Sequence, residues 1–122
     1  MKKLKRNILI AVTLTLGSVG FSSNVFAGDT FLTICENIKD NNPKALKRTL
    51  KNDKLKVRSL PKDFTCNGKA IFEWALHNKA YSVAELIVSK QTKKKVKALN
   101  YLAKAEASGN ADVLAKVNKR IN

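Results

Sequence analysis

The sequence predicts an all-α protein, on three observations. From about residue 30 onward, apolar residues recur at the i, i+3, i+4, i+7 spacing that lines one face of a helix. Helix-stop and helix-start signals separate these segments at Asn42-Pro43, at Lys79 to Ser82, and at Ser108-Gly109-Asn110. Only the stretch 52–68 loses the helical period, and the second of two cysteines lies within it. The expected architecture is about six short helices in three stacked helix-turn-helix pairs, with an irregular loop tethered by a disulfide.

Residues 1–27 read MKKLKRNILIAVTLTLGSVGFSSNVFA, a basic start followed by an apolar run from Ile8 to Leu16 and small residues ending at Ala27. That order is the pattern of a secretory signal peptide, and the apolar run is too short to span a bilayer. Cleavage is expected after Ala27, leaving 28–122 as a single small helical domain in the periplasm or outside the cell. Both cysteines, Cys35 and Cys66, fall in this portion, and an oxidising compartment favours their pairing. Closing a loop of this length stabilises a small fold by about 3–4 kcal/mol.

The first helix is expected over about 30–40, with Asp29 and Thr30 as caps and Phe31, Ile34, Cys35 and Ile38 on one face. Asn42 caps the second and Pro43 opens it, with Ala45, Leu46, Thr49 and Leu50 as its apolar stripe to about 51. Leu55-Lys56-Val57-Arg58 alternates like a short extended segment, and Pro61 and Asn67-Gly68 mark turns. Residues 70–76 are apolar on nearly all sides, which predicts a central helix with Trp74 at the core centre. Ser82 to Glu85 reads as a capping box, with Tyr81 stapled to Leu86, opening a helix to about Ser89. Val96, Leu99, Leu102 and Ala103 share the face of one further helix that ends at Ser108-Gly109. Asn110 caps the last helix, lined by Val113, Leu114, Val117 and Ile121.

The chain carries a weak internal repeat. Aligning IKDNNPKALKRTL, LHNKAYSVAELIV and EASGNADVLAKVN brings Asn42, Ala80 and Asn110 into register. The segment Ile71 to Ile87 resembles the inner helix, tight turn and outer helix of ankyrin-type repeats, without their Thr-Pro-Leu-His opening. The chain as a whole, with its leader, Cys35 and Cys66-Asn67-Gly68, is similar to an uncharacterised family of short exported bacterial proteins. The ankyrin likeness implies a degenerate helical stack that binds another protein, and neither resemblance implies a catalytic residue.

Charge narrows the functional classes. The chain has 24 Lys and Arg against 9 Asp and Glu, a formal net charge of +15. Discarding residues 1–27 removes four basic residues and no acidic one, so net +11 remains, mostly as lysine. Lysines attract anions diffusely, whereas arginine forks read phosphates bidentately. The densest cluster is Lys90, Lys93, Lys94, Lys95 and Lys97, a candidate site for anionic lipid or phosphorylated glycolipid. Nucleic acid is disfavoured, because the aromatic residues fall on core positions and do not interleave with the lysines for base stacking.

The catalytic inventory is thin. His77 is the single histidine, and Glu73 stands one helical turn before it. No third ligand is spaced to join them in a metal site, and no cofactor motif is present. Asp53 and Asp63 flank the irregular segment as turn residues, and Glu36 and Asp40 are like charges one turn apart. The expectation is a non-catalytic binding module whose partner is another envelope protein or, alternatively, an envelope polyanion held by the Lys90 to Lys97 cluster.

Overall fold

The computed structural model describes residues 22–122 apart from Lys62. Most of the expected export signal, residues 1–21, lies outside the described residues. Helix α1 is Ser22–Lys39, α2 is Pro43–Asn52, a single 3-10 turn spans Val57–Ser59, α3 is Ile71–His77 and α4 is Tyr81–Lys90. Helices α5 (Lys93–Ala98), α6 (Tyr101–Ser108) and α7 (Ala111–Ile121) complete the chain. Among the described residues there is no strand; an isolated antiparallel bridge joins Cys66 and Lys69 around Asn67-Gly68. The described residues divide into two units, 22–31 and 32–122. The first is the beginning of α1; the second holds the core.

Consecutive helices meet at the three expected breaks, and the turns there share one design. Each places a left-handed residue, then the N-cap, then the first helical residue: Asn41-Asn42-Pro43, Lys79-Ala80-Tyr81 and Gly109-Asn110-Ala111. Asn42, Ala80 and Asn110, the positions aligned by the repeat, are the three N-caps. In the first two turns the preceding helix closes with paired backbone bonds. Asn41 and Asn42 donate to Ile38 and Asn37, and Lys79 and Ala80 donate to Leu76 and Ala75. These are the orphan carbonyls that every helix end must satisfy.

In all three pairs an asparagine side chain caps the third amide of the second helix. Asn42 Oδ1 accepts from Ala45 N at 3.1 Å and Asn110 Oδ1 from Val113 N at 3.0 Å. Ala80 has no side chain able to do this. Asn41 Oδ1, from the first turn, accepts from Val83 N at 3.0 Å in its place. The expected Ser82 to Glu85 capping box is therefore absent. Helix α4 begins at Tyr81, which puts Ser82 inside the first turn and leaves the cap to a residue 42 positions away.

Helix α4 occupies the middle of the second unit, packing against α2, α3, α7 and the 3-10 turn. Val83, Ala84, Ile87 and Val88 are all completely buried, so this helix is apolar on more than one face. Helix α3 packs against α4 and α6, as expected for its composition, but Trp74 is not the core centre. Phe72 is fully buried and stacks on Tyr101, with ring centroids 4.1 Å apart. Trp74 is half-buried because its indole N–H needs a partner, which it finds in the Cys35 carbonyl at 2.8 Å.

Three further expectations are corrected. Helix α1 already runs at Ser22, ahead of the expected start near residue 30, so Asp29 and Thr30 lie inside the helix and do not cap it. The alternating segment at 55–58 is not extended throughout: Lys56 is, while Val57–Ser59 coils into the 3-10 turn with Val57 buried and Ser59 Oγ bonded to the Lys56 carbonyl. The single helix expected through Val96 to Ser108 is two. Asn100 takes φ +59° between α5 and α6, and Leu99 is 45% exposed, off the face it was expected to share.

Cys35 and Cys66 form the expected disulfide, with Cα atoms 5.6 Å apart. It ties α1 to the loop that crosses between the first pair and α3. No helix of the described residues is long and apolar enough to cross a membrane.

Candidate functional site

Of the five lysines of the expected cluster, Lys90 lines one recess and Lys94 and Lys95 line another. Thr92 Oγ1 accepts from Lys95 N and starts α5, whose Val96 is buried. Lys93 and Lys97 are exposed and line neither of the two recesses described next. Lys95 is half-buried and donates its Nζ to the Arg58 carbonyl. Lys90 ends α4, facing a different recess from Lys94 and Lys95.

Lys90 joins a groove between α2, the 3-10 turn and α4. Its volume is about 640 Å³. Lys47, Lys51, Lys54, Lys56, Arg58 and Lys90 line it around an apolar floor of Leu50, Leu55, Val57 and Leu86. Among the described residues that line it there is no carboxylate. The arrangement follows from local structure. Lys47, Leu50, Lys51 and Lys54 fall at i, i+3, i+4 and i+7, so a single face of α2 and its closing residue presents three cations. Lys54 takes φ +57°, and the chain turns back so that Lys56 and Arg58 join the same recess.

Six like charges around one concavity raise the local potential and repel one another. An anion relieves that repulsion. The sequence reading missed five of these six residues because their signal is a helix face continued by a turn, and it looked for a contiguous run.

Val57 is also a wall of a second recess, of about 530 Å³. Leu60, Pro61, Phe64, Ile71, Ala98 and Leu99 make this one apolar, and Lys94 and Lys95 also line it. Gln91, at its wall, is only 5% exposed and firmly held. Its carbonyl accepts from Arg120 Nε and Nη2 at 2.9 and 2.8 Å, and its Nε2 donates to the Tyr101 hydroxyl at 3.2 Å. Gln91 Oε1 is buried with no partner, the costly state for a polar atom. Burial pushes the Tyr101 hydroxyl above its ordinary pKa, an effect the Gln91 hydrogen bond partly offsets.

Glu73 and His77 line a third recess of about 400 Å³, beside Lys104. Glu73 pairs with Lys104 at 3.9 Å across exposed surface, which contributes little to stability. His77 ends α3 and stacks on Trp74, with centroids 6.0 Å apart. Among the described residues no three His, Cys, Asp or Glu side chains gather in a geometry able to hold a metal ion.

No curated protein and no solved structure matches this chain. Residues 34–98, which contain both cysteines, every residue of the cationic groove and most of the apolar recess, match the family described as "Protein of unknown function (DUF3718)". The chain belongs to that family.

Proposed function

We propose that the protein is a non-catalytic binding module of the cell envelope, exported by cleavage after Ala27, and that its ligand is a polyanion. The carrying observation is the groove of Lys47, Lys51, Lys54, Lys56, Arg58 and Lys90 with no carboxylate among its described lining residues. The ordinary reading of a lysine-rich surface is solvation. A recess that collects six cations over an apolar floor goes further, because it concentrates positive potential at one place on the surface. The disulfide and the leader-like first 27 residues support an extracytoplasmic location.

The test is binding of long-chain polyphosphate, followed as a function of salt. Reversing Lys51, Lys54 and Lys56 to Glu is expected to weaken binding more than about tenfold and to flatten its salt dependence, since each lost contact releases fewer counterions. The matched reversal of Lys93 and Lys97 is expected to change it only about twofold. Equal losses from the two sets, or binding indifferent to salt, overturn the groove as the site.

A second reading is a protein partner. The stacked helix pairs support it by analogy with ankyrin-type repeats, and the +11 charge points to an acidic surface. Recovery of the same acidic envelope protein by the wild-type chain and by the groove-reversed variant would favour this reading over the first.

A further inference from the structure

The cationic groove and the apolar recess adjoin at the 3-10 turn. Val57 walls both, and consecutive residues Lys90 and Gln91 fall one on each side. The divide between them is a short 3-10 turn, and a lysine of the apolar side, Lys95, is anchored to the carbonyl of a groove residue, Arg58. A strongly cationic recess and a mainly apolar one therefore share a wall.

The apolar recess has the size of ordinary small-molecule sites. Leu99 lines it while 45% exposed, one of two large hydrophobic side chains so exposed among the described residues. An apolar ligand seated in the recess would cover Leu99 together with Leu60, Phe64 and Ile71. The walls are built in advance: Arg120 and Tyr101 fix Gln91, and Phe72 stacks on Tyr101. Lys94 and Lys95 also line this recess, and Lys95 is already engaged by the Arg58 carbonyl.

We propose that the ligand is an anionic amphiphile, with a phosphate-type head in the groove and a single acyl chain in the recess of Leu60, Phe64, Ile71 and Leu99. This deepens the polyanion reading and rests on it. The protein takes up one lipid-like molecule, in contrast to adhering to a bilayer surface, where headgroup charge alone would engage the lysines and the recess would stay unused.

The experiment is calorimetric titration of the oxidised protein with three probes: dodecyl phosphate, inorganic phosphate and the uncharged dodecyl maltoside, with both detergents kept below their micelle concentrations. Dodecyl phosphate is expected to bind at least about tenfold more tightly than either other probe, with a negative heat-capacity change from apolar burial. Ala98→Trp, an exposed position on the recess wall, is expected to fill the cavity and abolish the preference for the chain while leaving phosphate binding unchanged. Lys54→Glu with Lys56→Glu is expected to abolish phosphate binding. Leu99→Ser, also at an exposed site, provides a second recess variant should Ala98→Trp fail to fold by circular dichroism; it is expected to lower the chain preference.

Dodecyl phosphate binding no tighter than phosphate, with phosphate binding intact, overturns the amphiphile and leaves the groove standing. Failure of both phosphates to bind overturns both readings. Dodecyl maltoside binding as tightly as dodecyl phosphate, or anionic phospholipid vesicles binding strongly while monomeric dodecyl phosphate shows no preference, likewise overturns the shared site.

Discussion

In the pair α3–α4, Ala75 lies five residues before the N-cap and Ile87 seven residues after it, and both are fully buried. In α1–α2 the same two positions hold Asn37 and Thr49, half-buried and joined by a hydrogen bond of 2.8 Å. In α6–α7 they hold Ala105 and Val117, again fully buried. One turn design thus serves an apolar seam in two pairs and a polar seam in the first. The first pair also buries Ile34, Ile38, Leu46 and Leu50, and it sends directional links into the rest of the fold. The Cys35–Cys66 disulfide, the Trp74 bond to the Cys35 carbonyl and the Asn41 cap on Val83 all run out of α1 or its turn. The contrast shows that a helix pair with a polar seam can be tied into the fold by a few specific bonds, each of which is then individually consequential.

The disulfide is the largest of these links. Replacing both cysteines with Ala is expected to destabilise the protein by about 3–4 kcal/mol, because the unfolded chain regains the freedom of a loop of some thirty residues. The loss should be uneven. Amide hydrogen exchange is expected to show protection falling first in α1 and α2, while α4 and α7, whose buried residues do not depend on the tether, retain theirs. Simultaneous loss across all helices would mean that the first pair is no more separable than the others.

How much of this was legible in the sequence depends on where each signal sits. The disulfide, the Asn42 and Asn110 caps and the register of the three turns follow from local rules, and the structure agrees with them. The left-handed closures at Lys54, Lys79 and Asn100 were harder to read, since a lysine in that conformation carries none of the glycine signal that marked Gly109. Missing Asn100 merged α5 and α6 into one helix. The cap of α4 was illegible because its donor and acceptor are 42 residues apart. Trp74 was placed at the centre on hydrophobicity, and its indole N–H moved it to the seam with α1. For the candidate site, composition supplied the positive charge and even Lys90, but the groove itself is tertiary, assembled from α2, the 3-10 turn and the end of α4.

Asn41 separates two contributions of the first turn. It holds φ +53° and also caps Val83. Asn41→Gly keeps the left-handed turn and removes only the cap, an expected cost of about 1 kcal/mol. Asn41→Ala removes the cap and strains the backbone, adding roughly 1–2 kcal/mol for a non-glycine residue forced left-handed. Urea unfolding of the two variants should therefore rank Gly as the milder change. Equal costs would show that the turn conformation is not what Asn41 contributes, and an undiminished stability in both would remove the cap from the links that hold the first pair.

The polar seam gives the smallest effect and the sharpest comparison. Thr49→Val alone leaves the Asn37 amide without its partner in a half-buried position, an expected loss of about 1 kcal/mol. Adding Asn37→Ala makes the first pair resemble the other two at both positions and removes the orphan as well as its partner. The double variant is expected to recover most of that loss, ending within about 0.5 kcal/mol of the parent, because replacing both partners of a hydrogen bond by apolar groups is nearly neutral. A double-mutant cycle measured by urea unfolding gives the coupling directly. Additive losses, with the double variant worse than either single one, would mean that the Asn37–Thr49 bond specifies the geometry of the first pair. The apolar seams of α3–α4 and α6–α7 would then be a different solution from that of α1–α2, and the shared turn would not by itself set how two helices close.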